Sequence, residues 1–151
     1  MEKTNITTKN SRETIAVAKA FAKELMETKS GKHAAVIGLV GELGAGKTLF
    51  VKSFMRAIGV RQKLVSPTFI LMRNFRVKNN SYTNAYHIDA YRVDANGLRS
   101  LGIKDIIKNP NHIVLIEWAD RVRGILPSGT IMMNFKYGDK QNERHITFNR
   151  R

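Results

Sequence analysis

The sequence has no cysteine, so neither disulfides nor thiolate metal sites are available to it. That fits a reducing compartment, and the cytoplasm is the expected one. It has only three prolines, no proline-rich or serine-rich linker, and no repeat of roughly 20 to 50 residues, so nothing divides the chain. A chain of 151 residues is long enough for one cored domain, since folding at this size hides roughly 70% of the unfolded surface. No stretch approaches the roughly 20 apolar residues of a membrane span, and the first residues lack the basic patch and apolar run of a signal peptide. A soluble protein with no membrane partner is expected. Acids are also scarce: 12 Asp and Glu face 26 Lys and Arg, for a formal charge of +14. Such an excess favours polyanions such as RNA, nucleotides or acidic protein surfaces, without choosing between them.

The shortage of acid is sharpest between Leu43 and His87, where there are eight basic residues (Lys47, Lys52, Arg56, Arg61, Lys63, Arg73, Arg76 and Lys78) and no carboxylate. These cations either solvate a surface or meet a polyanion. Apart from Lys47 they fall in a helix, a loop and a hairpin, elements able to present one face around the glycine-rich segment that opens the stretch.

The hydrophobic pattern reads as alternating strands and helices. After a short strand near "TNITT", Asn10 and Glu13 form a capping-box-like start to a helix over about Ser11 to Thr28, with Ile15, Ala18, Phe21, Ala22 and Leu25 at helical spacing. "HAAVIGLV" is a strand candidate buried on both faces. It runs into "GELGAGKT", and "TLFVKSFMRAIG" then places Phe50, Val51, Phe54, Met55 and Ile58 on one helical face, with Gly59 as C-terminal cap. "TFILMRNFRV" and "TNAYHIDAYR" form a hairpin candidate around "KNNSY". "ANGLRSLGIKDIIKN" reads as short helical pieces, "IVLIEW" as a second buried strand, and "GTIMMNFKY" with "ERHITFN" as two terminal strands. The expected fold class is α/β: a P-loop NTPase-like, mainly parallel sheet flanked by helices, with antiparallel edge strands, in one domain over residues 1–151.

Gly41, Gly46, Lys47 and Thr48 meet the pattern G-x-x-x-x-G-K-[ST]. The glycines let the backbone turn its N–H groups inward on phosphate oxygens, at the positive end of the helix that follows. Lys47 would reach the β and γ phosphates and Thr48 the magnesium ion that bridges them. A random chain of this length matches the pattern on the order of once in a few hundred, and a solvated turn would not account for the buried strand before it and the amphipathic helix after it. The order of the glycines excludes the dinucleotide fingerprint.

Turnover needs more than a phosphate cradle, and two acids qualify to place metal and water. Glu117 ends "IVLIE", where a Walker B carboxylate leaves a parallel strand beside the loop, and Asp89 ends "YHID" in the same manner. His87 is read as a core or surface hydrogen-bonder and stays outside the candidate site. Trp118, the only tryptophan, either stacks on a ligand or partner or fills the core. Thr68 in "SPTF" stands where a switch segment senses the γ phosphate or its metal.

Taken together, "GELGAGKT", "SPTF", "YHIDAYR", "LGIKD", "IEWAD" and "ILP" resemble, in order and approximate spacing, the bacterial TsaE (YjeE) family over nearly the whole chain. The resemblance implies an ATPase that supports TsaB and TsaD in placing a threonylcarbamoyl group on the adenosine beside the anticodon of a tRNA, with ATP and Mg2+ as ligands and little activity alone. It further implies that Gly41, Glu42, Leu43, Gly44, Ala45, Gly46, Lys47 and Thr48 hold phosphates and that Thr48 and Glu117 hold magnesium. By the same resemblance Asp89, Glu117, Lys47 and Thr68 would carry hydrolysis, and Trp118 falls in the family's E-W pair. Ser11, Thr14 and Arg144 match regions flanking the nucleotide. The chain departs from the family at Leu49, usually Thr, and at Ala90, usually Leu. Two rival readings remain: a small-molecule P-loop kinase with "DRVRG" as its lid, and a basic RNA-binding module with an idle nucleotide site.

Overall fold

A computed structural model describes residues 3–28, 31–64, 71–78 and 81–150. The elements run β1 (Thr4–Thr8), α1 (Ser11–Glu27), β2 (Ala35–Gly41), α2 (Lys47–Ala57), β3 (Met72–Arg76), β4 (Asn84–Asp89), α3 (Ala95–Ser100), α4 (Ile103–Lys108) and β5 (His112–Glu117). A kinked 3₁₀ stretch (Ala119–Ile125), β6 (Ile131–Tyr137) and β7 (Arg144–Arg150) complete the order. The strands form one sheet in the order β1-β7-β6-β2-β5-β4-β3. The central strands β6, β2, β5 and β4 are mutually parallel, whereas β1, β7 and β3 join antiparallel. The α/β expectation with antiparallel edges is borne out.

Local signals explain the boundaries. The Asn10 side chain accepts the Glu13 amide at 2.9 Å, and the Glu13 carboxylate reaches back to the Lys9 amide at 2.6 Å, one residue earlier than a standard capping box. Helix α1 ends at Glu27 because Thr28 turns extended and returns its hydroxyl to the Glu24 carbonyl at 2.9 Å. At the end of α2 the Gly59 amide bonds Arg56 O and the Val60 amide bonds Met55 O, a Schellman closure in which Gly59 is the expected cap.

The two faces of the sheet carry separate cores. On one, α1 and α2 bury Ala18, Ala22, Phe50, Val51, Phe54 and Met55 against Ile37, Leu39, Leu115 and Phe135. The Phe50 ring lies 5.5 Å from Phe135, edge-on, and 6.3 Å from Phe54. Full burial of such a side chain contributes about 1.5–3 kcal/mol, which anchors the start of α2 to the sheet. On the other face, α3, α4 and the 3₁₀ stretch bury Leu98, Ile103, Ile107 and Val122 against Val36, Ile88, Val114 and Ile116. Because β2 and β5 are covered on both faces, they read as unbroken apolar runs. Their carboxyl ends, with that of β4, open onto the same edge, where ligands bind in open α/β sheets.

Candidate active site

The loop between β2 and α2 is shaped by the strand beside it. A Cβ on Gly41 would lie 2.4 Å from the Phe135 carbonyl oxygen, so β6 leaves room for glycine alone. Gly46 caps α2 with φ 107°, a left-handed conformation that ordinary side chains rarely adopt, and no side chain bonds the first-turn amides. Those amides sit at the positive end of an eleven-residue helix. The outside of the loop is clamped by the C-terminal hairpin. The Tyr137 hydroxyl donates to Leu43 O at 2.5 Å, and Arg144 Nη2 donates to Gly44 O at 3.5 Å with its guanidinium 4.5 Å over the Tyr137 ring.

Three side chains from separate elements converge inside the loop. The Lys47 ammonium, at only 5% exposure, donates to the carbonyls of Gly41 and Glu42, the latter at 2.9 Å. Burial pushes its pKa below the usual lysine value, against the pull of Glu117, Asp120 and Asp89. The Thr48 hydroxyl donates to Glu117 Oε1 at 3.0 Å. The other Glu117 oxygen, Oε2, accepts from His87 Nε2 at 2.6 Å, with both residues buried. Asp89, half-buried, stands opposite Glu117 in the parallel register, and its Oδ1 takes the Tyr91 amide at 3.0 Å.

Just past Glu117, Trp118 adopts φ 59° and ψ 38°, the only non-glycine positive φ among the described residues. For a bulky side chain this costs about 1–2 kcal/mol. The turn lays the half-buried indole beside the loop, its ring centroid 4.1 Å from the Lys47 ammonium. The Tyr91 ring packs against the indole, tilted, with centroids 5.0 Å apart. Arg121 reaches over both rings, at 4.7 Å from Tyr91 and 5.5 Å from Trp118, and donates to Tyr91 O at 2.8 Å. The "DRVRG" segment is thus part of the 3₁₀ stretch, held by the buried Ala119 and Val122 and by this bond, and not the lid a kinase would need.

The sequence-derived residues fall around two cavities. The larger, about 470 Å³, is lined by Leu43, Gly44, Gly46, Lys47, Thr48, Asp89, Glu117 and Trp118, with Tyr91 and Arg92 at its rim. A smaller one, about 170 Å³, lies across the loop and gathers Ser11, Thr14, Gly44, Gly46 and Arg144. Ser11 and Arg144 are therefore brought beside the loop, whereas the Thr14 hydroxyl is engaged within the fold, 2.8 Å from that of Thr8. Glu42 contributes its carbonyl to Lys47, and Ala45, fully buried, closes the turn through its amide on Glu42 O at 3.1 Å. Thr68 lies outside the described residues. His87, read from the sequence as a core or surface hydrogen-bonder and left outside the candidate site, is indeed a buried hydrogen-bonder, but its partner is the candidate Glu117. The available signal was its place two residues before Asp89 on a strand, which puts both on one face of the sheet.

Among the described residues no three acidic or histidine side chains gather into a metal cage. The protein's share of a cation shell here is a threonine hydroxyl and a glutamate carboxylate, converging to 3.0 Å. Such hard oxygen donors fit Mg2+, which keeps several waters and takes the rest of its shell from substrate phosphates.

Comparison with known proteins decides the family. The family model described as "Threonylcarbamoyl adenosine biosynthesis protein TsaE" matches residues 8–146. The chain belongs to the TsaE family. Among curated members, the tRNA threonylcarbamoyladenosine biosynthesis protein TsaE of Haemophilus influenzae is 36% identical over 122 residues, 80% of this chain and 74% of its own. The TsaE of Bacillus subtilis is 34% identical over 142 residues, covering 93% and 82% respectively. The crystal structure of Bacillus subtilis YdiB superimposes with a TM-score of 0.76 at 28% identity, over 99% of this chain and 86% of that one. The cavity at the carboxyl ends of β2, β4 and β5 thus sits within a TsaE fold that runs nearly the full length of the chain.

Proposed function

We propose that the chain is the ATP-binding and ATP-hydrolysing component of bacterial tRNA threonylcarbamoyladenosine synthesis, acting with TsaB and TsaD on the adenosine beside the anticodon. Family membership supports the pathway. The observation that carries the ATPase reading is the Thr48–Glu117 contact, which joins the hydroxyl at the head of α2 to a strand-end carboxylate 69 residues away. A cradle that served only to bind an anion would gain nothing from a buried carboxylate, which repels phosphate unless a cation stands between them.

In this reading the amides from Gly44 to Thr48 receive the phosphates, and the Lys47 ammonium exchanges the Gly41 and Glu42 carbonyls for phosphate oxygens. The Trp118 ring walls off water on one side of that ammonium, so its charge acts in a low dielectric. Thr48 and Glu117 would hold magnesium, which when bound offsets the phosphate charge and fixes the terminal phosphate. His87 keeps the Glu117 carboxylate turned toward Thr48. Asp89, across from Glu117, orients the attacking water and accepts its hydrogen bond. Ser11 and Arg144, on the far side of the loop, contact the rest of the nucleotide. No described helix is long and apolar enough to cross a membrane, and an activity on tRNA fits the cytoplasm.

The test is ATP turnover with and without TsaB and TsaD, with magnesium supplied or chelated. Slow turnover alone, stimulated by the pair and abolished by chelation, is expected. Failure to bind or hydrolyse ATP even with both partners and magnesium present would overturn the reading.

A further inference from the structure

The basic stretch that follows the glycine-rich loop does not ring the nucleotide cavity as its sequence position suggests. Arg73 lies over the Phe75 ring at 5.3 Å, half-buried on the α1–α2 face, while Arg76 is exposed farther along β3. A separate groove, about 930 Å³, draws Arg61 from the segment after α2 together with Arg76 and Lys78 from the end of β3 and its turn. Gln62, Thr83 and Asn84 add neutral polar groups, Gly59 and Val77 complete the lining, and no carboxylate lines it. Asn84 opens β4 and Asp89 closes it, so the groove and the nucleotide cavity sit at opposite ends of one strand, roughly 17 Å apart at about 3.3 Å per residue.

Three cations lining one concavity repel one another, and a fold that converges them without ion-pair partners among the described residues gains from a polyanion between them. None of the three is ion-paired with a described residue. The exposed large apolar side chains among the described residues are Leu43, Tyr91, Leu101 and Tyr137, and none lines the groove. A protein interface places aromatic and apolar side chains at its centre, whereas a nucleic-acid interface is more polar and much more positive. We propose that this groove binds the phosphodiester backbone of a folded RNA. The choice of RNA over DNA rests on the family's place in tRNA modification. The charge argument stands apart from the ATPase reading.

The experiment measures polarisation of a labelled RNA hairpin on the full chain across a range of KCl concentrations. The triple variant Arg61→Ser, Arg76→Ser, Lys78→Ser is compared with a control of equal charge change on exposed helix positions, Lys19→Ser, Lys23→Ser, Lys104→Ser. Losing three phosphate contacts should weaken binding at least about 10-fold and flatten the logarithmic salt slope by about 2 to 3. The control should stay near wild type, and ATP affinity should be unchanged in both. Separate arms use a DNA duplex of matching sequence and polyglutamate. Four results would overturn the proposal: no RNA binding by the wild type, equal loss in the control, tighter binding of DNA than RNA, or a preference for polyglutamate. Because ATP binding is read independently, its failure would count against the ATPase reading and leave the groove assignment standing.

Discussion

Replacing His87 with leucine isolates what this histidine does for Glu117. In the wild type each carboxylate oxygen has one donor, Thr48 on Oε1 at 3.0 Å and His87 on Oε2 at 2.6 Å. With His87 at 3% exposure and Glu117 at 4%, water does not readily replace the lost donor. A buried acceptor left unsatisfied costs about 1–3 kcal/mol, more when charged. Loss of a donor behind a metal-binding carboxylate typically lowers metal affinity about 10- to 100-fold, or about 1.4–2.8 kcal/mol at about 1.4 per factor of ten. The first cost falls on stability and the second on metal affinity, so they are read separately. The assay is titration of a fluorescent ATP analogue with and without magnesium, alongside thermal unfolding to confirm that each variant is folded. Affinity without magnesium should hold within about 2-fold, since the amides and Lys47 remain, while the gain on adding magnesium should shrink by about 10- to 100-fold. His87→Gln, whose amide nitrogen reaches nearly the same place, should recover most of that gain. An undiminished magnesium gain in the leucine variant would refute the reasoning. A glutamine variant as defective as leucine would show that the ring's packing matters and not its donor.

Glu117→Ala should keep magnesium-free nucleotide binding and lose hydrolysis, and wild-type turnover would remove Glu117 from the site. Arg144→Ala should weaken nucleotide binding by about 2- to 10-fold, the worth of one hydrogen bond, with the magnesium gain intact; no change in affinity would confine Arg144 to bracing the hairpin. Because the sole tryptophan lies 4.1 Å from the Lys47 ammonium, nucleotide binding should change its fluorescence, and constant emission at saturating ATP would mean that Lys47 does not move. Lys47→Met should abolish tight binding, since an ammonium is lost from a site holding several phosphate charges. Burial lowers the Lys47 pKa in the folded chain, so above that folded value and up to about 10.5 the unfolded chain holds more protons and stability rises with pH. Wild-type stability relative to Lys47→Met should therefore climb toward alkaline pH, and a constant difference from neutral pH to 10.5 would contradict the direction of the shift.

The fold is legible in the sequence where one local signal dominates. The apolar run of β2, the glycines after it and the 3.6-residue spacing of Phe50, Phe54 and Met55 all demand the same strand, loop and helix. Gly102, at φ 82°, separates α3 from α4, which is why that region reads as helical pieces and not as one helix. Strand order is not local. That β6 lies beside β2 and β7 beside β6, with Tyr137 and Arg144 gripping a loop about a hundred residues earlier in the chain, depends on which edges pair, and no motif around Arg144 announces it. The pleat of β3 likewise separates Arg73 from Arg76, so a basic run in sequence becomes a groove only where another segment supplies Arg61.

The site was legible to the extent that its residues end strands. Glu117 and Asp89 can be found because an acid that closes an apolar run must emerge at the sheet's edge. His87 escapes because its role depends on register. In the parallel pair β4–β5 it stands opposite Leu115, and only the forward reach of its ring along the strand brings Nε2 to Glu117. The histidine's chemistry therefore cannot be inferred until β4 is known to be β5's neighbour. The same holds for Trp118. An indole after a strand-end acid either stacks on a ligand or partner or fills the core, and sequence alone leaves both open; at φ 59° the chain turns sharply enough to leave the Glu117 carboxylate facing Thr48 while setting the ring against Lys47. A β-region backbone at this position would send the ring away from the loop, so the strain of about 1–2 kcal/mol is what lets one dipeptide turn its carboxylate to Thr48 and its ring to Lys47.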